Sequence, residues 1–323
     1  MSAESNEAEH PHAGIVGVPE RLPAEELRAL SKLDPGQALI ATATEWLVIG
    51  AAVGVSLTLD HPLVYALAIV LIGARQHALT VLAHDASHFR YLPNKRANDF
   101  VANLLLAWPV FISVHGFRKF HGAHHKFLGE ARDGNRTLWR THDEAGELVA
   151  DWVYPKSRGE LLALLARRTA LFTGLRWILR GLLSIVVVRE PKEWKIGRVL
   201  TYALVAGALS MGGWWLEFGL LWVLPLCTWH VTAQYIRLIA EHSAVHSEDS
   251  AYAATRTTIP RRLEALLILP RNIGYHIEHH WYPSVPYYNL PALHARLMRQ
   301  PRFREHAQIS RSVWTSMLTV TRR

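Results

Sequence analysis

ALIATATEWLVIGAAVGVSLTL, residues 38–59, contains no lysine or arginine, and Glu45 is its one charged side chain. The charge-free run extends beyond it. No Lys or Arg occurs from Leu33 to Ala74, and none from Val199 to Ile236. Each run is about 40 residues, or roughly 60 Å as helix, twice the thickness of a bilayer core. Each is therefore expected to fold as a hairpin of two spanning helices. A buried helix pair in a soluble protein is the competing reading. However, a soluble chain with 35 Lys and Arg would spread them along its length, whereas here they are segregated.

Working outward, the first hairpin turns at Asp60-His61-Pro62, and its second helix runs from Leu63 to Ala83. FVANLLLAWPVFISV, from Phe100 to Val114, is too short to cross comfortably and is divided by Pro109, so a re-entrant or interfacial helix is expected. From Leu161 to Val188, apolar runs alternate with Arg167, Arg168, Arg176 and Arg180, the pattern of an amphipathic helix in the headgroup region. The second hairpin turns near Gly212-Gly213-Trp214.

Charge then sets topology. Neither hairpin tip holds a Lys or Arg, whereas the other connections and both termini do, which predicts cytoplasmic termini and a cytoplasmic middle segment. The net charge of +8 lies in segments flanking apolar spans, which suits a membrane surface and not nucleic acid. Cys227, the single cysteine, sits in an apolar span and excludes a disulfide framework or a thiolate metal site. The acidic start, MSAESNEAEH, lacks the layout of a signal peptide. The expected organisation is a disordered cytoplasmic tail over residues 1–30 and one domain over 31–323. That domain is all-α, with four transmembrane helices in two hairpins and a cytoplasmic helical cap.

The chain has 19 histidines, and their grouping matters more than their number. His84-Asp85-Ala86-Ser87-His88, His121-Gly122-Ala123-His124-His125 and His276-Ile277-Glu278-His279-His280 repeat spacings of i,i+4 or i,i+3,i+4. On a helix these place imidazoles on one face, close enough to share a metal. All three clusters follow apolar segments that exit on the same predicted side, so they can converge. Eight imidazoles exceed what one structural zinc needs and suffice for two metals with about four ligands each. Asp85 and Glu278 read as partners that orient imidazole N–H groups. A pair such as His10 and His12 in the tail reads as chance.

HDASH, HGAHH and HIEHH resemble the three histidine boxes of the membrane fatty-acid desaturase superfamily. NIGYHIEHHWYPSVPYYNLPALH, from Asn272 to His294, extends the likeness to the tail of acyl-lipid desaturases. The resemblance covers about Ala38 to Leu297. It implies two iron ions bound by His84, His88, His121, His124, His125, His276, His279 and His280, with dioxygen as cosubstrate. It also implies one more histidine between the second and third boxes. His242 is the best match, and His246, four residues on, competes. His77 shares the face of His84 but reads as a hydrogen-bonded histidine of the bundle, and His115, His142 and His294 read as structural. Asn272 could hold a metal-bound water or cap a turn.

The implied function is desaturation of a fatty acyl chain of a lipid. The alternatives are a hydroxylase or ketolase acting on a carotenoid or other lipid, or a fatty-acid decarboxylase. No side chain beyond the metal ligands is assigned to catalysis. The first box has three intervening residues and the third begins with His276, not Gln, which by the resemblance leans toward an acyl-lipid substrate or a relative acting on carotenoids or other small lipids. Iron–sulfur, flavin and haem motifs are missing from the sequence, so a separate electron donor such as a ferredoxin or a small haem protein is implied. A membrane metal transporter is the non-enzyme alternative, but transporters place ionisable groups mid-span, whereas these boxes fall at span ends and beyond. The expected location is a bacterial inner membrane.

Overall fold

The computed structural model describes residues 21–128, 132–135, 143, 149–245, 252 and 254–322. His10, His12, His142 and His246 lie outside the described residues. The segment read as the end of the tail contains helix α1 (Ala24–Leu30), and Leu22 packs into the core. A bidentate pair ties Glu26 of α1 to Arg296, at 2.5 and 2.7 Å.

Helix α2 (Pro35–Leu59) begins with proline at its first position, and Asp34 accepts from the backbone N–H of Gly36 and Gln37. It ends at Asp60, in the left-handed region at φ 39°, and α3 (Pro62–Ser87) starts two residues later. Both are long and apolar enough to cross a bilayer, as the charge-free run predicts. They differ in burial. Ile40 and Leu47 of α2 are 68% and 73% exposed, a face for lipid and not for water. By contrast, α3 is buried at every residue from Ile72 to Ser87 and forms the centre of the molecule.

The segment around Pro109 does not run straight. Helix α4 (Lys95–Ala102) passes through a π turn (Asn103–Ala107) and a short 3-10 turn (Trp108–Val110) to Phe111, at φ 63°. The chain then bends by 85° into α5 (Val114–Lys126). Proline's missing N–H and the left-handed Phe111 account for the break. The single amphipathic helix expected over Leu161–Val188 is instead two helices, α6 (Arg158–Thr169) and α7 (Leu171–Val187), bent by 49°.

Helix α8 (Lys192–Gly212) ends at Gly213, where φ is +70° and glycine carries no steric cost. The next helical stretch, α9 (Trp215–His242), contains two π turns on either side of Pro225. Among the described residues, three helical stretches are long and apolar enough to span a membrane (Ala24–Leu59, Pro62–Ser87 and Trp215–His242), or up to five if each bent pair is one span. Helix α8 is not among them, because Lys192, Glu193, Lys195 and Arg198 occupy its first two turns.

Arg198 fixes this half of the molecule. It is fully buried and donates to Phe111 O, Gly181 O, Ser184 Oγ and Tyr202 Oη. Gly181 is required here, since a Cβ would strike the carbonyl of Phe111. The described residues are mostly helical, with one correction to an all-α fold. Thr257–Thr258 and Ile309–Ser310 pair as a two-residue parallel ladder next to the third box.

Candidate metal centre

Each histidine cluster ends or forms a helix. His84 lies in the last turn of α3 and His88 caps it. His121, His124 and His125 lie on α5, His242 closes α9, and the third box makes up most of α10 (His276–Trp281). Arg118 locks the first two boxes together. Its guanidinium pairs with Asp99 at 2.5 and 3.1 Å and donates to the carbonyls of Ser87 and Ala86. Asp85 ties the first box to the segment after the third by accepting from the Tyr287 N–H at 2.8 Å.

Two groups result. His84, His88, His121, His125 and His279 form one, and His124, His242, His276 and His280 the other, with nitrogens in each group within 4.8 Å of one another. The eight box histidines and His242 thus converge, but as five and four instead of four and four. The partition follows helix geometry. In every box the i,i+4 pair stays in one group, while the i+3 histidine of the second and third boxes crosses to the other. At about 100° per residue, i+3 and i+4 point roughly 100° apart, so they diverge toward neighbouring sites. The groups adjoin, since the rings of His125 and His280 stack with centroids 4.3 Å apart.

The spacing of the nitrogens fits cations held between them. His125 Nε2 lies 2.9 Å from Nε2 of both His121 and His279, and His276 Nε2 lies 2.9 Å from His242 Nε2 and 3.1 Å from His280 Nε2. With metal–imidazole bonds of about 2.1 Å, ligands at right angles sit roughly 3 Å apart. Buried His84 Nε2 and His88 Nε2 have no hydrogen-bond partner among the described residues. Burial, ahead of the neighbouring charges, lowers the pKa of His88 to about 4 and holds His276, His279 and His280 well below the usual imidazole range. The rings are therefore neutral near pH 7, with lone pairs available to a metal.

The surrounding carboxylates differ in part from expectation. Asp85 stands 3.5 Å from His84 Nδ1, as anticipated. Glu278 instead receives Thr257 Oγ1 and His294 Nδ1, both at 2.5 Å, so it braces the third box against the small ladder. His294 thus acts through Glu278. Two partners were not legible in the sequence. Asp133 Oδ1 lies 2.8 Å from His124 Nδ1, on a loop where a Cβ at Gly134 would strike the Phe120 carbonyl. Glu241 Oε2 lies 3.5 Å from His276 Nε2 and is held by Arg237 at 2.7 Å. Adjacency to His242 was its one sequence signal. Asn272 donates to Tyr287 O in a left-handed turn, and His77 lies beside His230, apart from both groups.

Comparison with known proteins bears on this arrangement. The family model described as "Fatty acid desaturase" matches residues 60–312. "Dihydrorhizobitoxine desaturase" of Bradyrhizobium elkanii is 28% identical over 293 residues, covering 85% of this chain and 80% of that protein. "sn-1 acyl-lipid omega-3 desaturase (ferredoxin)" of Nostoc sp. (strain 36) is 23% identical over 258 residues, 76% of this chain and 70% of its own length. The human "Sphingolipid delta(4)-desaturase/C4-monooxygenase DES2" is 27% identical over 234 residues, 68% of this chain but 61% of its own length, less than two thirds.

Proposed function

This chain belongs to the fatty acid desaturase family, and from that premise we propose that it is a diiron enzyme introducing a double bond into a fatty acyl chain of a lipid. More coarsely, it is an integral membrane oxidoreductase of the desaturase and oxygenase type, with histidine clusters suited to metal. The observation that carries the finer reading is the pair of adjoining, buried or half-buried histidine groups. His84, His88, His121, His125 and His279 would hold one iron, and His124, His242, His276 and His280 the other.

An alkyl C–H bond has no acidic proton, so acid–base catalysis alone cannot break it. When bound, the irons would supply oxidation by dioxygen. The protein's own groups orient and enclose. Asp133 and Asp85 hold imidazole N–H groups so that the opposite nitrogens face inward. Phe117, Phe120 and Trp177 wall the small cavity of about 50 Å³ against the histidines. The balanced reaction takes one dioxygen, two electrons and two protons, removes two neighbouring hydrogens, and releases two waters. No side chain is assigned as general base.

The electrons come from a separate carrier, in line with the word "ferredoxin" in the name of the Nostoc relative. The proposed topology is four spans in two hairpins, with the boxes and both termini cytoplasmic in a bacterial inner membrane. Hydroxylation is the second reading, favoured by the paired desaturase and monooxygenase name of the human relative. It would use the same electrons but place one oxygen atom on carbon.

The test is lipid profiling by gas chromatography–mass spectrometry in a bacterial host supplied with iron and a donor, comparing the wild type with His124→Ala. A new unsaturated acyl species found only with the wild type is expected. A new oxygenated species would shift the reading to hydroxylation. Purified protein without metal would overturn both.

A further inference from the structure

Glu241 stands on the wrong side of its histidine for an orienting role. Asp133 and Asp85 approach Nδ1 of His124 and His84, which leaves the opposite nitrogen of each ring for a metal. Glu241 Oε2 instead lies 3.5 Å from His276 Nε2. That nitrogen is the one 2.9 Å from His242 Nε2 and 3.1 Å from His280 Nε2. His276 Nδ1, where an orienting carboxylate would bind, has no hydrogen-bond partner among the described residues. The carboxylate therefore faces the space on which the group of four converges.

The local fold keeps it there. Glu241 is buried in the last turn of α9, and Arg237, one turn earlier, donates through Nε to Oε1 at 2.7 Å. That contact occupies one oxygen and leaves the other toward His276. Arg256 pins the helix end, donating its backbone N–H to Glu241 O and its guanidinium to Ala240 O, both at 2.9 Å. Among the described residues lining the small cavity, Glu241 is the one carboxylate. Ligand number and charge both have a place for it. The neighbouring group has five histidines and this one four. Divalent ions held by neutral imidazoles alone would also leave their full charge buried beside the Arg237 guanidinium, and an anionic ligand offsets it.

We propose that Glu241 is itself a metal ligand, adding a carboxylate oxygen through Oε2 to the iron held by His124, His242, His276 and His280. Arg237 is a positioning residue that aims this oxygen. Imidazole and carboxylate together suit iron, so the donor set is chemically ordinary. The inference rests on the diiron reading and makes one of the two sites anionic in its ligands and the other all-imidazole.

Full-length protein loaded with isotopically enriched iron is titrated with a chelator, and iron per chain is read beside the Mössbauer spectrum of the reduced protein. Glu241→Gln keeps the shape and loses the charge. It is expected to release one iron at about tenfold lower chelator concentration or less, while the other is held as in the wild type. One ferrous doublet should change and its companion should not. In Glu241→Ala, acetate should restore the lost iron, whereas acetamide, its neutral counterpart, should not. Arg237→Gln should keep both irons, because the ligand remains.

Unchanged iron retention and doublets in Glu241→Gln would overturn the inference. Equal losses in Glu241→Gln and Arg237→Gln, without rescue by acetate, would reduce the pair to a brace of the helix end and overturn it as well. A measurement on the wild type covers the case in which no variant folds. Protein grown on carboxyl-labelled glutamate should show a label-sensitive carboxylate band in the infrared difference between iron-loaded and chelated samples, and its absence refutes a glutamate ligand. Two irons and lipid product in the wild type with no effect at Glu241 would sink the ligand and spare the diiron reading; a wild type without iron would sink both.

Discussion

Asp133 Oδ1 lies 2.8 Å from Nδ1 of His124, and both side chains are buried. The same oxygen accepts from the backbone N–H of Asn135 at 2.8 Å, so the carboxylate is itself held in place. A carboxylate in this position fixes the tautomer and aim of a ligating imidazole. Asp133→Asn keeps the shape and removes the charge. It should lower iron affinity or activity by about 10–100-fold, and Asp133→Ala by at least as much. Iron per purified chain, measured with activity across a chelator series, checks this. Unchanged affinity in both variants would reduce Asp133 to a loop contact.

Glu45 is a second buried carboxylate, and its role is mechanical. It receives Arg75 at 3.0 Å and Arg271 at 2.6 Å, joining α2, α3 and the loop that leads into the third box. Arg75 also donates to the carbonyl of Leu266. Removing one partner of a buried ion pair strands the other, at a cost of about 3–5 kcal/mol. Glu45→Gln strands two guanidiniums at once, so it should lower the thermal midpoint of detergent-solubilised protein more than Arg271→Gln. Equal midpoints for the three proteins would contradict the assignment.

Arg198 makes its case through geometry. Four acceptors surround its guanidinium: two backbone carbonyls on different segments, Ser184 Oγ and Tyr202 Oη. Lysine keeps the charge but offers donors from a single point and cannot span them. Hydrogen bonds to a charged group contribute about 1.5–3 kcal/mol each, so Arg198→Lys should cost at least about 2 kcal/mol. Tyr202→Phe, which loses one contact to the guanidinium and one to Trp108 O, should cost less. Thermal unfolding of both variants ranks them, and the reverse order would refute the argument.

The boxes were legible because helical spacing is local. Three short motifs on helix ends announce convergent imidazoles without any knowledge of the fold, and the first hairpin announces itself through missing charge. The partition of ligands was less accessible. His124 and His125 are neighbours in sequence but belong to different groups, and that depends on where α10 and the end of α9 approach α5. Asp133 reaches His124 only because its loop folds back onto α5, a tertiary event with no periodic signature. The second hairpin was read as two equivalent spans, yet the basic start of α8 and the buried Arg198 set that helix apart. Charge counting over Val199–Ile236 begins one residue too late to see it.

The division into five and four histidines makes a prediction that a single merged cluster would not. His242 belongs to the group of four, where His276 Nε2 stands 2.9 Å from it. His242→Ala leaves three imidazoles there and the other five untouched, so iron should fall toward one per chain and not to zero. His279→Ala leaves four imidazoles in its own group and four in the other, so it should retain more iron than His242→Ala. His246→Ala should keep the wild-type content, because His242 already completes the group of four. Bound iron also stabilises by mass action, about 2.7 kcal/mol at a hundredfold excess over Kd. Stripping iron with a chelator should therefore lower the wild-type midpoint more than that of His242→Ala. Iron quantification beside thermal unfolding gives both answers in one set of samples. Complete loss of iron from His242→Ala would mean that the two groups fill only together.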